Sequence, residues 1–175
     1  MIKTYRNILA IALLGSLHAA SFAGSPGGLR IIAVPTSKAL AYEGRIKGFF
    51  KQYDQSSTQG VCDDAQLSVG SVQYNSGTTG ITGDFAKKAA TLPKQRKKLN
   101  HMLTTYRDKT YPRGFDLALV YDVVGEKMVF QGISGFAKQK VNSSSVALTD
   151  IEDNSKVALA ICRAAAHAPV LESGD

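Results

Sequence analysis

Apolar residues run along this chain in two rhythms, separated by polar and glycine-rich breaks. Leu29 to Val34 is a short apolar stretch interrupted only by Arg30 and closed by Pro35. A run of that length bounded by proline reads as a strand. Beyond it Tyr42, Ile46, Phe49, Phe50 and Tyr53 recur at three- and four-residue intervals. The spacing predicts a helix ending near Tyr53, capped by Thr36 or Ser37, with one face packed on a sheet. Gly44 and Gly48 weaken that helix by up to about 1 kcal/mol each relative to alanine, and they suggest a close approach by another element.

After a polar loop over 54–60, Leu67 to Tyr74 alternates as a strand does but changes phase. Leu67 and Val69 share one parity, Val72 and Tyr74 the other, and Gly70 stands between them. One extra residue at a glycine is the signature of a β-bulge. Residues 75–83 read as loop. Asp84 is placed to cap a second helical stretch, in which Phe85, Ala89, Leu92, Leu99, Met102, Leu103 and Tyr106 form a stripe. Pro93 interrupts it, predicting either a kink or a fresh helix with the proline at its first position.

Phe115 to Val124 is apolar on both faces apart from Asp116 and Asp122, and it makes the clearest core strand. Gly125-Glu126 suits a two-residue turn, with Met128 to Ile133 returning antiparallel. A polar loop around Asn142-Ser143-Ser144-Ser145 leads to a last helix, for which Thr149-Asp150-Ile151-Glu152 has the form of a capping box. Strand, helix, strands, helix, hairpin and helix in that order predict an α+β fold. The expected architecture is a mostly antiparallel sheet of four to five strands, with about three helices packed over one face.

The N-terminus changes the compartment. Lys3 and Arg6 precede an apolar run from Ile8 to Leu17, and Ser21-Phe22-Ala23 offers a small-residue cleavage site. That order predicts a signal peptide over 1–23 with Gly24 as the new N-terminus, and a run of about ten residues is too short to span a bilayer about 30 Å thick. No cysteine lies near the site, which argues against a lipoprotein. The expected product is periplasmic or secreted, with a flexible leader over 24–28, a single domain over 29–168 and a short tail over 169–175. Apolar residues make up 44% and charged residues 20%, the balance of a globular chain. The formal net charge of +7 falls by two when Lys3 and Arg6 leave.

Two cysteines remain, Cys62 and Cys162. In an oxidising compartment they are expected to pair, closing a loop worth about 4–5 kcal/mol on chain entropy alone. No histidine stands beside either at zinc-site spacing, so no metal and no cofactor are expected.

Candidate chemistry is sparse. Gly77-x-x-Gly80-x-x-Gly83 runs into a helix start, but its spacing matches no phosphate-binding fingerprint, and Asp84 puts a carboxylate where the phosphate would sit. Gly132-Ile133-Ser134-Gly135-Phe136 has phenylalanine where a nucleophile elbow needs its second glycine. Past the signal, only His101 and His167 could serve a triad. Asp63, Asp64, Asp116, Asp122, Asp150, Glu152 and Asp153 each fit a loop, a strand end or a cap.

The basic stretch stands out. Lys87, Lys88, Lys94, Arg96, Lys97 and Lys98 are six cations within twelve residues, with no acid from Lys87 to Tyr106. Such a run is a solvated helix face or a surface for an anionic partner. Export and the lack of interleaved aromatics argue against nucleic acid. The leading expectation is a non-enzymatic exported protein that binds another macromolecule, of inhibitor, immunity or envelope-assembly type, with an acidic protein or anionic envelope component as partner. The alternatives are a small-ligand binder or sensor with Tyr42, Tyr74 and Tyr121 around a pocket, and a hydrolase with a dispersed site.

Overall fold

The computed structural model describes residues 29–55, 69–74, 80–106, 114–134 and 141–165. Its strands are β1 (Leu29–Pro35), β2 (Val69–Tyr74), β3 (Leu117–Val124), β4 (Lys127–Ser134) and β5 (Asn142–Ala147), and its helices are α1 (Glu43–Gln55), α2 (Gly83–Thr91), α3 (Pro93–Thr105) and α4 (Asn154–Ala165). The five strands form one sheet in the order β2-β1-β3-β4-β5. The signal peptide, leader and tail expected at 1–28 and 169–175 lie outside the described residues. Among the described residues, no helix is long and apolar enough to cross a membrane.

The fold is α+β, but the sheet is mixed rather than mostly antiparallel. β1 runs parallel to both β2 and β3, whereas β3, β4 and β5 form an antiparallel meander. Helices cover both faces rather than one. Ile31, Ala33, Leu117, Leu119, Tyr121, Met128 and Phe130 pack with α1 and α4 residues such as Ile46, Phe49, Val157 and Ile161. Ile32, Val34, Ala118, Val120 and Ile133 pack with Ala86, Ala89, Leu99 and Leu103 of α2 and α3. The connectivity explains this arrangement. The chain leaves β1 toward one edge to form β2, then crosses back over β1 to form β3. Two crossovers of one hand that travel in opposite directions must lie on opposite faces.

Several local expectations hold. Leu29 pairs with Val69 and Arg30 with Ser71, so Gly70 is the extra residue of a bulge. Pro93 starts a separate helix, α3. Val124 opposes Lys127 across a two-residue turn in which Gly125 has a φ of +56°.

Other expectations shift. The segment expected to be one helix from 37 begins as a 3-10 turn, Ser37–Tyr42, before α1. A Cβ added to Gly44 or Gly48 would meet nothing within 4 Å, so among the described residues no element approaches them closely. Residues 142–145, expected as loop, belong to edge strand β5. Thr82 rather than Asp84 caps α2, accepting from the Phe85 amide at 3.2 Å.

The box Thr149-Asp150-Ile151-Glu152 is replaced by a 3-10 turn, Leu148–Asp150, and Asp153 starts α4. Its carboxylate accepts from the amides of Ser155 at 2.9 Å and Lys156 at 3.2 Å. Asp153→Ala is therefore expected to cost about 1 kcal/mol in urea unfolding. A Glu152→Ala change should cost less, because that side chain is exposed and its pairing among the described residues is with Arg45 at 3.1 Å.

Candidate functional site

β1 and β3 carry matching patterns on the face toward α2 and α3. On β1 that face reads Arg30, Ile32, Val34 and then Thr36 just past the strand end; along β3 it reads Asp116 just before the strand, then Ala118, Val120 and Asp122. The parallel register sets Ile31 against Leu117 and Pro35 against Tyr121. Each polar end of one stripe therefore meets a polar end of the other.

At the entering end, Arg30 grips Asp116 with two side-chain bonds, Nη2 to Oδ1 at 2.7 Å and Nε to Oδ2 at 3.1 Å. The Arg30 amide also donates to Oδ2 at 2.8 Å, and the Asp116 amide donates to the Arg30 carbonyl at 2.9 Å. A planar guanidinium fits a carboxylate in this two-pronged way, which fixes direction as well as distance.

The leaving end is where chemistry would be sought. In open sheets, ligands bind beyond the carboxyl ends of strands where neighbouring connections depart in opposite directions. β1 and β3 form such a point, since β1 leads away to β2 and β3 to β4. There the Thr36 hydroxyl donates to Asp122 Oδ1 at 2.5 Å, and the Lys87 ammonium of α2 donates to Oδ2. The Thr36 amide continues the ladder to the Tyr121 carbonyl at 2.9 Å.

Asp122 is 4% and Thr36 1% exposed, whereas the Lys87 side chain is 45% exposed. Burial pushes the Asp122 carboxyl up. Hydrogen bonds from Lys87 and Thr36, the Lys87 charge and a backbone bond at Val123 outweigh that effect and hold it below the ordinary carboxylate value. A carboxylate held ionised is a poor proton donor near neutral pH, and the Thr36 hydroxyl is sealed from solvent. The arrangement ties α2 to the β1–β3 ladder.

The helix start beside it is also occupied from within. Asp84 Oδ2 accepts from the Ser37 amide at 3.1 Å, and a Cβ on Gly83 would lie 2.3 Å from the Pro35 carbonyl oxygen. Gly83 thus serves close packing of α2 on β1. Gly80, with a φ of +66°, serves the turn before α2.

The six cations singled out in the sequence divide into two sets. Lys87 belongs to the Asp122 pair. Arg96 Nε donates to the Ala89 carbonyl at 3.3 Å and Nη2 to the Ala90 carbonyl, satisfying the carbonyls at the end of α2. Lys88, Lys94, Lys97 and Lys98 are exposed on the outer side of α2 and α3. Lys98 lies 5.5 Å over the Phe85 ring, which brings α3 back alongside α2. Lys94, Lys97, Lys98 and His101 follow one outward stripe opposite buried Leu99 and Leu103. Leu92 stands between the helices at 50% exposure.

Cys162 is 5% exposed on the inner face of α4 and is disulfide-bonded. Cys62 lies outside the described residues. Tyr121 is one of the three tyrosines expected around a pocket. It is fully buried against Phe130, on the opposite face from Asp122, while Tyr42 packs at the margin of that core and only the backbone of Tyr74 is described. Among the described residues, no three histidine, cysteine or acidic side chains gather as a metal site.

The Thr36–Asp122–Lys87 cluster was not anticipated from sequence, although a signal existed. Arg30 and Thr36 bracket one apolar run at the same separation at which Asp116 and Asp122 bracket another. No family model matches this chain, and no curated protein or solved structure matches it.

Proposed function

We propose that this protein is a small exported binding module, without catalytic activity of its own, that holds an anionic partner of the cell envelope on the outer face of α2 and α3. The observation that carries this reading is the division among the cations. Lys87 and Arg96 are spent on internal contacts, while Lys88, Lys94, Lys97 and Lys98 face outward, and Asp84 is the one acid on those two helices. A one-signed face concentrates counter-charged partners and speeds their encounter. The buried carboxylates Asp116 and Asp122 each have their own cation.

The test compares retention of envelope extract on the full chain and on the variant K88E/K94E/K97E. A component retained by the first, released by moderate salt and absent from the second is the expected outcome. Equal retention by both chains would refute the electrostatic reading. A second reading, a small-ligand site, draws on the position of Thr36, Asp122 and Lys87 at the β1–β3 divergence. Ligand binding abolished by Lys87→Met but unaffected by K88E/K94E/K97E would favour it.

A further inference from the structure

We infer that the partner of this face is an anionic lipid surface, met by the α2–α3 elbow with Leu92 at its tip. The inference rests on the binding role proposed above and names the chemistry of the partner. Leu92 closes α2 and precedes Pro93 of α3, so it sits at a helix–helix corner. It is a large aliphatic side chain half out in water, with Lys88 on the last turn of α2 and Lys94 on the first turn of α3 beside it in sequence. Lys97 and Lys98 extend the charge along α3. An apolar tip with a cationic rim suits the boundary between headgroups and acyl chains, where aliphatic carbon enters and ammonium groups remain with the phosphates.

The kind of cation also distinguishes a lipid surface from a folded protein. Binding energy in protein interfaces concentrates on tryptophan, tyrosine and arginine, and lysine is depleted there. Here all four outward cations are lysines, while the one arginine, Arg96, is turned inward onto the carbonyls of α2. An ammonium is a point charge on a flexible stem, with no directional fork to match one carboxylate. It suits a diffuse array of phosphates that presents no single geometry. Each lysine near such a surface adds to the attraction independently, and the attraction fades within a Debye length.

The test is vesicle flotation with the full chain, as processed by the cell, on phosphatidylcholine vesicles and on mixed phosphatidylcholine–phosphatidylglycerol vesicles. Poly-L-glutamate serves as a soluble anionic polymer for comparison. Wild type is expected to float with the anionic vesicles and to be released by salt. K88E/K94E/K97E should bind them about a hundredfold more weakly, and Leu92→Ser about fivefold more weakly. Every variant shares the same N-terminus, so these ratios report on the elbow alone, and matching far-UV circular dichroism verifies folding.

Equal flotation of wild type and K88E/K94E/K97E on anionic vesicles would overturn the inference. So would flotation of wild type that is independent of lipid charge. Binding to polyglutamate that the triple variant loses, with no binding to vesicles, would overturn the lipid assignment and leave the electrostatic role standing. Failure to bind either probe would remove both.

Discussion

Replacing Lys87 by methionine is expected to destabilise the protein more than replacing Asp122 by alanine, although the two side chains form one ion pair. The asymmetry comes from burial, because the Asp122 side chain is 6% exposed and that of Lys87 45%. Without Lys87, the carboxylate keeps the Thr36 hydroxyl but loses its only side-chain countercharge among the described contacts. Removing one partner of a fully buried pair costs about 3–5 kcal/mol. Water reaches Lys87, so the expectation here is lower, about 3 kcal/mol. Without Asp122, the ammonium turns into solvent, and the principal loss is a buried Thr36 hydroxyl left unpaired, about 1–2 kcal/mol.

The pH dependence follows from the same geometry. In the folded wild type the Asp122 carboxyl lies below its ordinary value. The pair therefore contributes stability above the unfolded value of about 3.9, and that contribution is lost as pH falls through the lower folded value. In Lys87→Met, burial acts on the carboxyl with much less opposition and raises it. The gap between wild type and Lys87→Met should be largest near neutral pH and should narrow in acid. Urea unfolding at neutral and acidic pH measures both effects. A gap that does not change with pH, or a larger loss in Asp122→Ala, would show that Lys87 acts through packing and not as the countercharge.

These residues also mark how far the sequence could be read. Local features with short-range causes were legible: the bulge at Gly70, the helix begun by Pro93 and the turn at Gly125. Sheet order was not, because pairing is decided by contacts between segments far apart in the chain. The meander β3–β4–β5 invited an antiparallel reading of the whole sheet. Even so, Ile31 to Val34 and Leu117 to Tyr121 are buried without alternation. Continuous apolar runs of that kind belong to strands covered on both sides, as the central strands of parallel sheets are.

The paired polar ends of β1 and β3 then settle the register. A slip by one residue would turn Asp116 and Asp122 to the face of Phe49 and Val157, and a slip by two would leave both carboxylates without their cations. The basic face was legible as a run of charge. Its division was not, since only the fold shows Lys87 and Arg96 turned to internal partners.

A single kind of substitution, glycine to alanine, is expected to have opposite signs in two places that look alike in the sequence. Gly132 lies in β4, and a Cβ there would stand 2.2 Å from the Ala164 carbonyl oxygen and 3.1 Å from its carbon. These are backbone atoms of α4, so no side-chain rotation relieves the clash, and the end of the helix must move. The inner side of α4 bears Ala158, Ala160, Ala164 and Ala165, and this run of small residues is what lets the helix backbone lie so close to the sheet. Displacing it would open gaps beside Phe130 and Ile161, in a core where both are fully buried. Gly132→Ala should therefore cost about 3 kcal/mol, at the upper end for overpacking.

Gly48 in α1 has nothing among the described residues within 4 Å of the same added atom. There alanine only reduces the freedom of the unfolded chain and improves helix propensity, so Gly48→Ala should stabilise by about 0.5–1 kcal/mol. Parallel thermal unfolding of the two variants decides the matter. A tolerated Gly132→Ala would mean that α4 does not rest on β4 at this distance, and the close packing ascribed to its alanines would have to be abandoned.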